Sequence, residues 1–219
     1  MMFIIVVVND DEYHRSVARL TPEQKQLNHD KILEAAGRGF RTHGVNGIGI
    51  AELMKAAEMT HGGFYNHFDS KDDLAREVIR RGFASSLETL AGIREEHSHS
   101  ARAALDHMFD QYLAVLHRDH PEDGCASAAL VTDAGRHGVG AQSEYQRGLE
   151  GFFSAITDMV LENARQSGAE LSAEQAREQA IALFSQMVGA LVISRAVARS
   201  SPALADEILE ANSTRLKQT

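Results

Sequence analysis

Between Ala180 and Ala198 the chain reads AIALFSQMVGALVISRAVA, apolar on nearly every side of a 3.6-residue helix. A helix of that kind needs cover on several faces, from its own chain, from a partner subunit, or from both. Gln186, Ser194 and Arg195 interrupt the run and oppose a membrane span. The constraint therefore points to a helical body built around this segment. The rest of the sequence agrees, with 3 Pro, no Trp and 43% apolar residues in 219 positions.

Apolar spacing places about nine helices. Ile32, Leu33, Ala36 and Phe40 share one face of a helix over about 25–43, which Gly44 ends. Ile50, Leu53, Met54 and Ala57 mark a second helix of about two turns, and Thr60 is placed to cap a short third one through His67. Ser70 followed by Asp72 and Asp73 suits a helix start, with the acids at the positive end of the dipole, and that helix runs to about Glu96. Further helices are predicted at about 101–118, 125–136, 142–166, 173–199 and 203–215. Breaks fall at Pro121/Gly124, Gly138/Gly140, Gly168 and Ser200 to Pro202. The predicted fold is all-α, with a three-helix helix-turn-helix domain at 23–70 and a larger helical domain at 71–219.

Met1 to Val8 form an apolar run with no basic residue ahead of it and with Asn9, Asp10, Asp11 and Glu12 behind it, unlike a secretory signal. Eight residues are also too few to span a bilayer. Residues 1–22 are expected to be a disordered or loosely attached extension, the alternative being an added strand or partner contact. The single cysteine, Cys125, excludes an intrachain disulfide and a cysteine-based zinc cluster, which fits a reducing, cytoplasmic setting.

Lys and Arg number 22 against 31 Asp and Glu, a net charge of −9, so the molecule as a whole repels nucleic acid. The excess acid lies beyond Lys71, and the region before it is nearly balanced. Any DNA contact then rests on local placement of Arg41, Lys55, Lys71 and helix N-termini.

Three pieces occur in order: ILEAA with Phe40 and HG, then IAELMKAA, then THGGFYNHFDSKDDL. Together, over about residues 25–75, they resemble the DNA-binding domain of the TetR/AcrR family of bacterial one-component regulators. In a helix-turn-helix the second helix lies in the major groove with its N-terminal residues at the base edges. The resemblance therefore assigns DNA contact to Thr60, His61, Gly62, Gly63, Tyr65, Asn66, His67 and Lys71. Thr60 caps the helix and reaches a phosphate, and His61 reaches a base edge or a phosphate. Gly62 and Gly63 let the backbone approach DNA, and the Tyr65 hydroxyl suits a phosphate. Asn66 and His67 contact backbone or base, Lys71 resembles the family's phosphate-binding lysine, and Phe64 and Phe68 are expected in the core. Two departures stand out. Asn46 to Gly49 offers no hydroxyl where the family commonly has one. Glu58 occupies a turn position usually held by glycine, at a cost of roughly 1 kcal/mol if the backbone there is left-handed.

The resemblance further implies a C-terminal ligand-binding and dimerisation domain. The helices at about 173–199 and 203–215 would form half of a four-helix homodimer interface, an intramolecular core helix being the alternative. A two-fold dimer sets two recognition helices about 34 Å apart and calls for a palindromic double-stranded DNA operator. Candidate contacts for a small-molecule effector are Phe109, Tyr112, Leu116, Phe152 and Phe153, with Leu113, Leu130 and Ile156 close in pattern. Plain core packing is the alternative for all of them. Cys125, in DGCASAAL, is a candidate thiol sensor or an inert buried thiol. His97, His99, His107, His117 and His120 read as solvated or capping histidines, so no metal is expected. No cofactor motif or catalytic constellation is present, and an enzyme is not expected. The expected function is a ligand-released repressor. The alternative is a helical small-molecule-binding protein whose DNA-binding head is inactive.

Overall fold

The computed structural model describes residues 21–218, so the extension expected at the N-terminus lies, up to residue 20, outside the described residues. Among the described residues every regular element is helical. Helix α1 spans Pro22–His43, three residues earlier than the apolar pattern alone suggests. The Thr21 side chain accepts from the Gln24 amide, and Pro22 fits the first turn because its missing N–H would have no partner there. Gly44, at φ 73°, ends the helix. Helix α2 is Ile50–Ala56 and is followed by a 3-10 helix at His61–Asn66. Ser70 caps α3, Lys71–Glu96, through the Asp73 amide at 3.0 Å, as the sequence predicts.

The body contains α4 (Ala101–Tyr112), α5 (Val115–Asp119), a 3-10 turn (Pro121–Asp123), α6 (Ala126–Ala129) and α7 (Val131–Arg136). It closes with α8 (Gly138–Ser167), α9 (Ala173–Val197) and α10 (Pro202–Leu216). Two helices predicted as continuous are each divided. The stretch 101–118 breaks at Leu113–Ala114, where the freed Tyr112 carbonyl meets His117 Nδ1 at 2.7 Å. The stretch 125–136 turns at Leu130, and the Tyr145 hydroxyl donates to the Ser127 carbonyl at 2.6 Å. Side chains from elsewhere take up carbonyls that a continuous helix would have used.

One core runs through both parts. Phe40, Leu53, Met54, Phe64 and Leu74 fill the head, and Phe83, Phe109, Ile156, Met187 and Leu191 fill the body. Helix α3 belongs to both, packing on α1 through its first turns, up to Arg81, and on α8 along most of its length, from Arg76 beside Gly140 to Arg94 near Asp158. Its approach to α8 depends on Gly148, because a Cβ there would fall 2.1 Å from the Phe83 ring. Helix α9 is long and apolar enough to cross a membrane by length and composition. Three polar residues within its apolar stretch are nonetheless engaged within the fold: Gln186 with Asn212, Ser194 with the Ala205 carbonyl, and Arg195 with the His117 and Arg118 carbonyls.

The head meets the body along the end of α1. Arg38 pairs with Asp123, Arg41 Nε donates to the Glu122 carbonyl at 2.8 Å, and the Val45 amide donates to Asp133 Oδ1 at 2.8 Å. On the other side of α1, Asp30 pairs with Arg81 of α3 at 2.6 Å.

Two substitutions probe this packing. Gly148→Ala forces Phe83 or α8 to move, and urea unfolding should show a loss of about 1–3 kcal/mol. Glu58 carries a φ of 60°, the one left-handed residue other than glycine among the described residues. Glu58→Gly should therefore gain up to about 1 kcal/mol in the same measurement. An unchanged midpoint would mean that the left-handed turn stores no strain.

Candidate nucleic-acid interface and ligand cavity

The local sequence explains how the recognition segment is held. Phe64 and Phe68 are buried with ring centroids 5.7 Å apart, and His29 of α1 stacks on Phe68 at 4.7 Å. These anchors fix a short segment that has few hydrogen bonds of its own. Two glycines in six residues disfavour a regular α-helix, and the segment adopts 3-10 geometry instead. Thr60 precedes it in an extended conformation, but its hydroxyl makes no capping bond, contrary to the expected cap.

The candidate residues divide by exposure. Thr60, His61, Gly62, Tyr65 and Asn66 are exposed, and Gly63 is half-buried. Tyr65 is 63% exposed, with only the edge of Phe64 against its ring. No atom lies within 4 Å of where a Gly62 Cβ would sit, so internal packing does not require glycine there. His67 instead turns toward His29, with ring centroids 6.2 Å apart, and its Nδ1 has no hydrogen-bond partner. Burial, together with the nearby His29 and Lys25, pulls its pKa below the usual histidine value.

Lys71 is half-buried, and its Nζ donates to the Ile48 carbonyl at 2.5 Å, 6.0 Å from the Phe40 ring centroid. It therefore ties the start of α3 to the segment leading into α2. Gly49 is the N-cap of α2 and provides no side-chain bond, as the missing hydroxyl implied. Arg41, expected at the DNA, instead turns inward to the Glu122 carbonyl.

A cavity of about 640 Å³ opens between α3, α4 and the 115–125 segment. Of the predicted ligand residues it contains Tyr112, Leu116 and Phe152. Phe109 is fully buried and borders a separate, smaller cavity near α8 and α9. Phe153 stands outside the larger cavity and packs edge-on against Phe184, with Arg177 over its ring. Helical spacing gave these phenylalanines a shared direction, but the lateral position of α9 decides which of them face open space. Leu116 is 72% exposed at the cavity rim.

Cys125 is buried on the cavity wall, with Sγ 3.0 Å from Ser127 Oγ. Its amide donates to His117 Nε2 at 3.0 Å, and His117 Nδ1 is left to donate to the Tyr112 carbonyl. That pattern requires a neutral imidazole, and burial pulls the His117 pKa down accordingly. Tyr112, half-buried and within reach of Ser127, has its phenol pKa pushed up by burial. The helix that Cys125 begins is a single turn.

The structure also joins histidines that the sequence left apart. His97 Nε2 lies 2.8 Å from His107 Nδ1, and Glu96 is beside them, with potential ligand atoms of all three within 4.8 Å of one another. No spacing rule could find this pair, because it forms across the α3–α4 turn.

Comparison with known proteins bears on the head first. The family model described as "Bacterial regulatory proteins, tetR family" matches residues 32–78. The transcriptional repressor NemR of Escherichia coli K12 is 26% identical over 147 residues, covering 67% of this chain and 73% of that one. The transcriptional regulator AcrR of Shigella flexneri is 39% identical over 62 residues, 28% of this chain and 29% of its own. The solved structure of reduced E. coli NemR superposes with a TM-score of 0.73 at 22% identity, over 87% of this chain and 95% of that one. A TetR-family regulator from Agrobacterium tumefaciens gives 0.74 at 17% identity, over 89% and 97%. With the motif and the helix-turn-helix geometry, residues 32–78 form a DNA-binding head of the tetR family of bacterial regulatory proteins, and the whole chain shares the fold of solved regulators of that family.

Proposed function

We propose that the chain is a ligand-released repressor that binds a palindromic operator as a homodimer in the cytoplasm. The observation that carries this reading is Tyr65, a large aromatic residue left in solvent beside Gly62 on a segment whose other aromatic rings are buried. His61, Asn66 and the Gly62 amide lie on the same segment and would meet base edges or phosphates with the Tyr65 hydroxyl, while Gly63, whose amide is bonded to the Thr60 carbonyl, lets the backbone come close. Thr60, whose hydroxyl makes no cap, is free to reach a phosphate. Lys71 would share its ammonium between the Ile48 carbonyl and a phosphate. His67 contributes mainly by seating the segment against His29.

Dimerisation through α9 and α10 is supported by Ile181, Ile193 and Leu204, which these helices leave exposed in a single chain. The effector would occupy the 640 Å³ cavity, and Cys125 on its wall gives thiol-reactive compounds the same address. Release follows if the effector binds more tightly to a state in which the two heads no longer match adjacent turns of DNA. The second reading, a ligand-binding protein with an inactive head, is favoured by the left-handed Glu58, whose carboxylate adds negative charge at the turn.

The two readings separate in a selection of bound fragments from genomic DNA by the full chain at low and moderate salt. The regulator reading expects an enriched palindrome and an affinity that falls steeply with salt. Tyr65→Ala and Lys71→Ala should each weaken binding by about 1–3 kcal/mol while the fold, followed by circular dichroism, persists. A folded dimer that enriches no sequence at low salt would overturn it in favour of the second reading.

A further inference from the structure

Arg41 stands where the head and the cavity meet. It lies in the last turn of α1, yet its side chain forms part of the cavity wall. Its Nε is engaged by the Glu122 carbonyl, and among the described residues no acceptor bonds to Nη1 or Nη2. Those two nitrogens pass over glycines, since a Cβ at Gly37 would lie 3.6 Å from Nη1 and one at Gly82 would lie 3.8 Å from it. A half-buried guanidinium with its outer edge unmet is suited to a bidentate oxyanion.

The other charged groups nearby leave that edge available. Asp123 on the same wall is paired with Arg38, and Glu122 faces His120. His117 has both ring nitrogens committed, and Arg195, which does not line the cavity, gives its Nε and Nη2 to the Arg118 and His117 carbonyls. Away from Arg41 the lining becomes apolar, with Leu90, Ile93, Met108, Phe152, Phe184 and Met187. One charged corner and one greasy end describe an amphipathic anion.

Resting on the reading of this cavity as the effector site, we propose that its ligand class is an amphipathic carboxylate whose carboxylate pairs with Arg41. The anion then draws on the same guanidinium that holds α1 to the 121–123 turn. Ligand binding thereby acts on the head through the side chain that touches both, without a longer relay.

The test uses calorimetry on the full chain at pH 7 with decanoate against 1-decanol, and 2-naphthoate against 2-naphthol. At least one carboxylate should bind about tenfold or more tightly than its alcohol. Arg41→Gln should remove that preference and leave alcohol affinity within about twofold, whereas Arg41→Lys should retain part of it. Arg38→Gln, which cuts another link between α1 and the same turn, should keep the preference, so that general loosening of the seam is distinguished from loss of the anion site. Equal affinities within both pairs, a preference surviving Arg41→Gln, or binding of neither carboxylate would overturn the assignment. Operator binding by the ligand-free protein is measured in parallel. Selective DNA binding without a carboxylate preference overturns only this inference, and an Arg41-dependent preference without DNA binding overturns only the regulator reading.

Discussion

The position of the head depends on a buried carboxylate. Asp133 of α7 is only 9% exposed, and it accepts the Val45 amide immediately after α1 has ended at Gly44. A charge buried this far persists only where donors meet it. Here the chain turns so that Val45 does so; His137 Nε2, 3.9 Å away, makes no hydrogen bond, and its Nδ1 lies 2.9 Å from Asp72 of α3. The left-handed Gly44 makes that turn possible, and a Cβ there would press within 3.3 Å of the same carboxylate. Helices α1, α3 and α7 are thus joined by one polar knot between head and body. The pairs Arg38–Asp123 and Arg41–Glu122 extend the knot toward the cavity.

That seam lets an acidic protein keep a usable DNA-binding surface. Much of the negative charge belongs to the body, while the head is close to neutral. Several head cations are already committed within the fold: Arg38 and Arg41 to the 121–123 turn, and Lys71 to the Ile48 carbonyl. Affinity for DNA must then come from short-range contacts by the recognition segment more than from a broad basic field. Such an interface is sensitive to sub-ångström placement, so control by a small shift of α1 is physically adequate.

Local rules made much of the head legible in the sequence. The Ser70 cap, the buried Phe64 and Phe68, the missing hydroxyl before α2 and the strained position of Glu58 each depend on neighbours within a turn or two. The short third helix falls where the sequence places it, and its two glycines and its anchoring to α1 explain the 3-10 geometry it adopts. The body was harder to read. Whether Phe109, Phe152 or Phe153 faces the cavity depends on how α8 and α9 slide past each other, and periodicity carries no information about that. Arg41 was misdirected for the same reason, since its partner Glu122 lies 81 residues away. The pairing of His97 with His107 likewise exists only after α4 folds back on α3.

The central claim is that cavity and head communicate through the end of α1. Pulsed electron paramagnetic resonance measures this directly, with a spin label at Asn66→Cys in a Cys125→Ser background. In the dimer, the ligand-free protein should give a distance distribution that includes about 34 Å between recognition segments. A saturating amphipathic carboxylate should move the distribution, and the same addition to the Arg41→Gln protein should not. A distribution indifferent to ligand, or one that shifts equally without Arg41, would contradict the account.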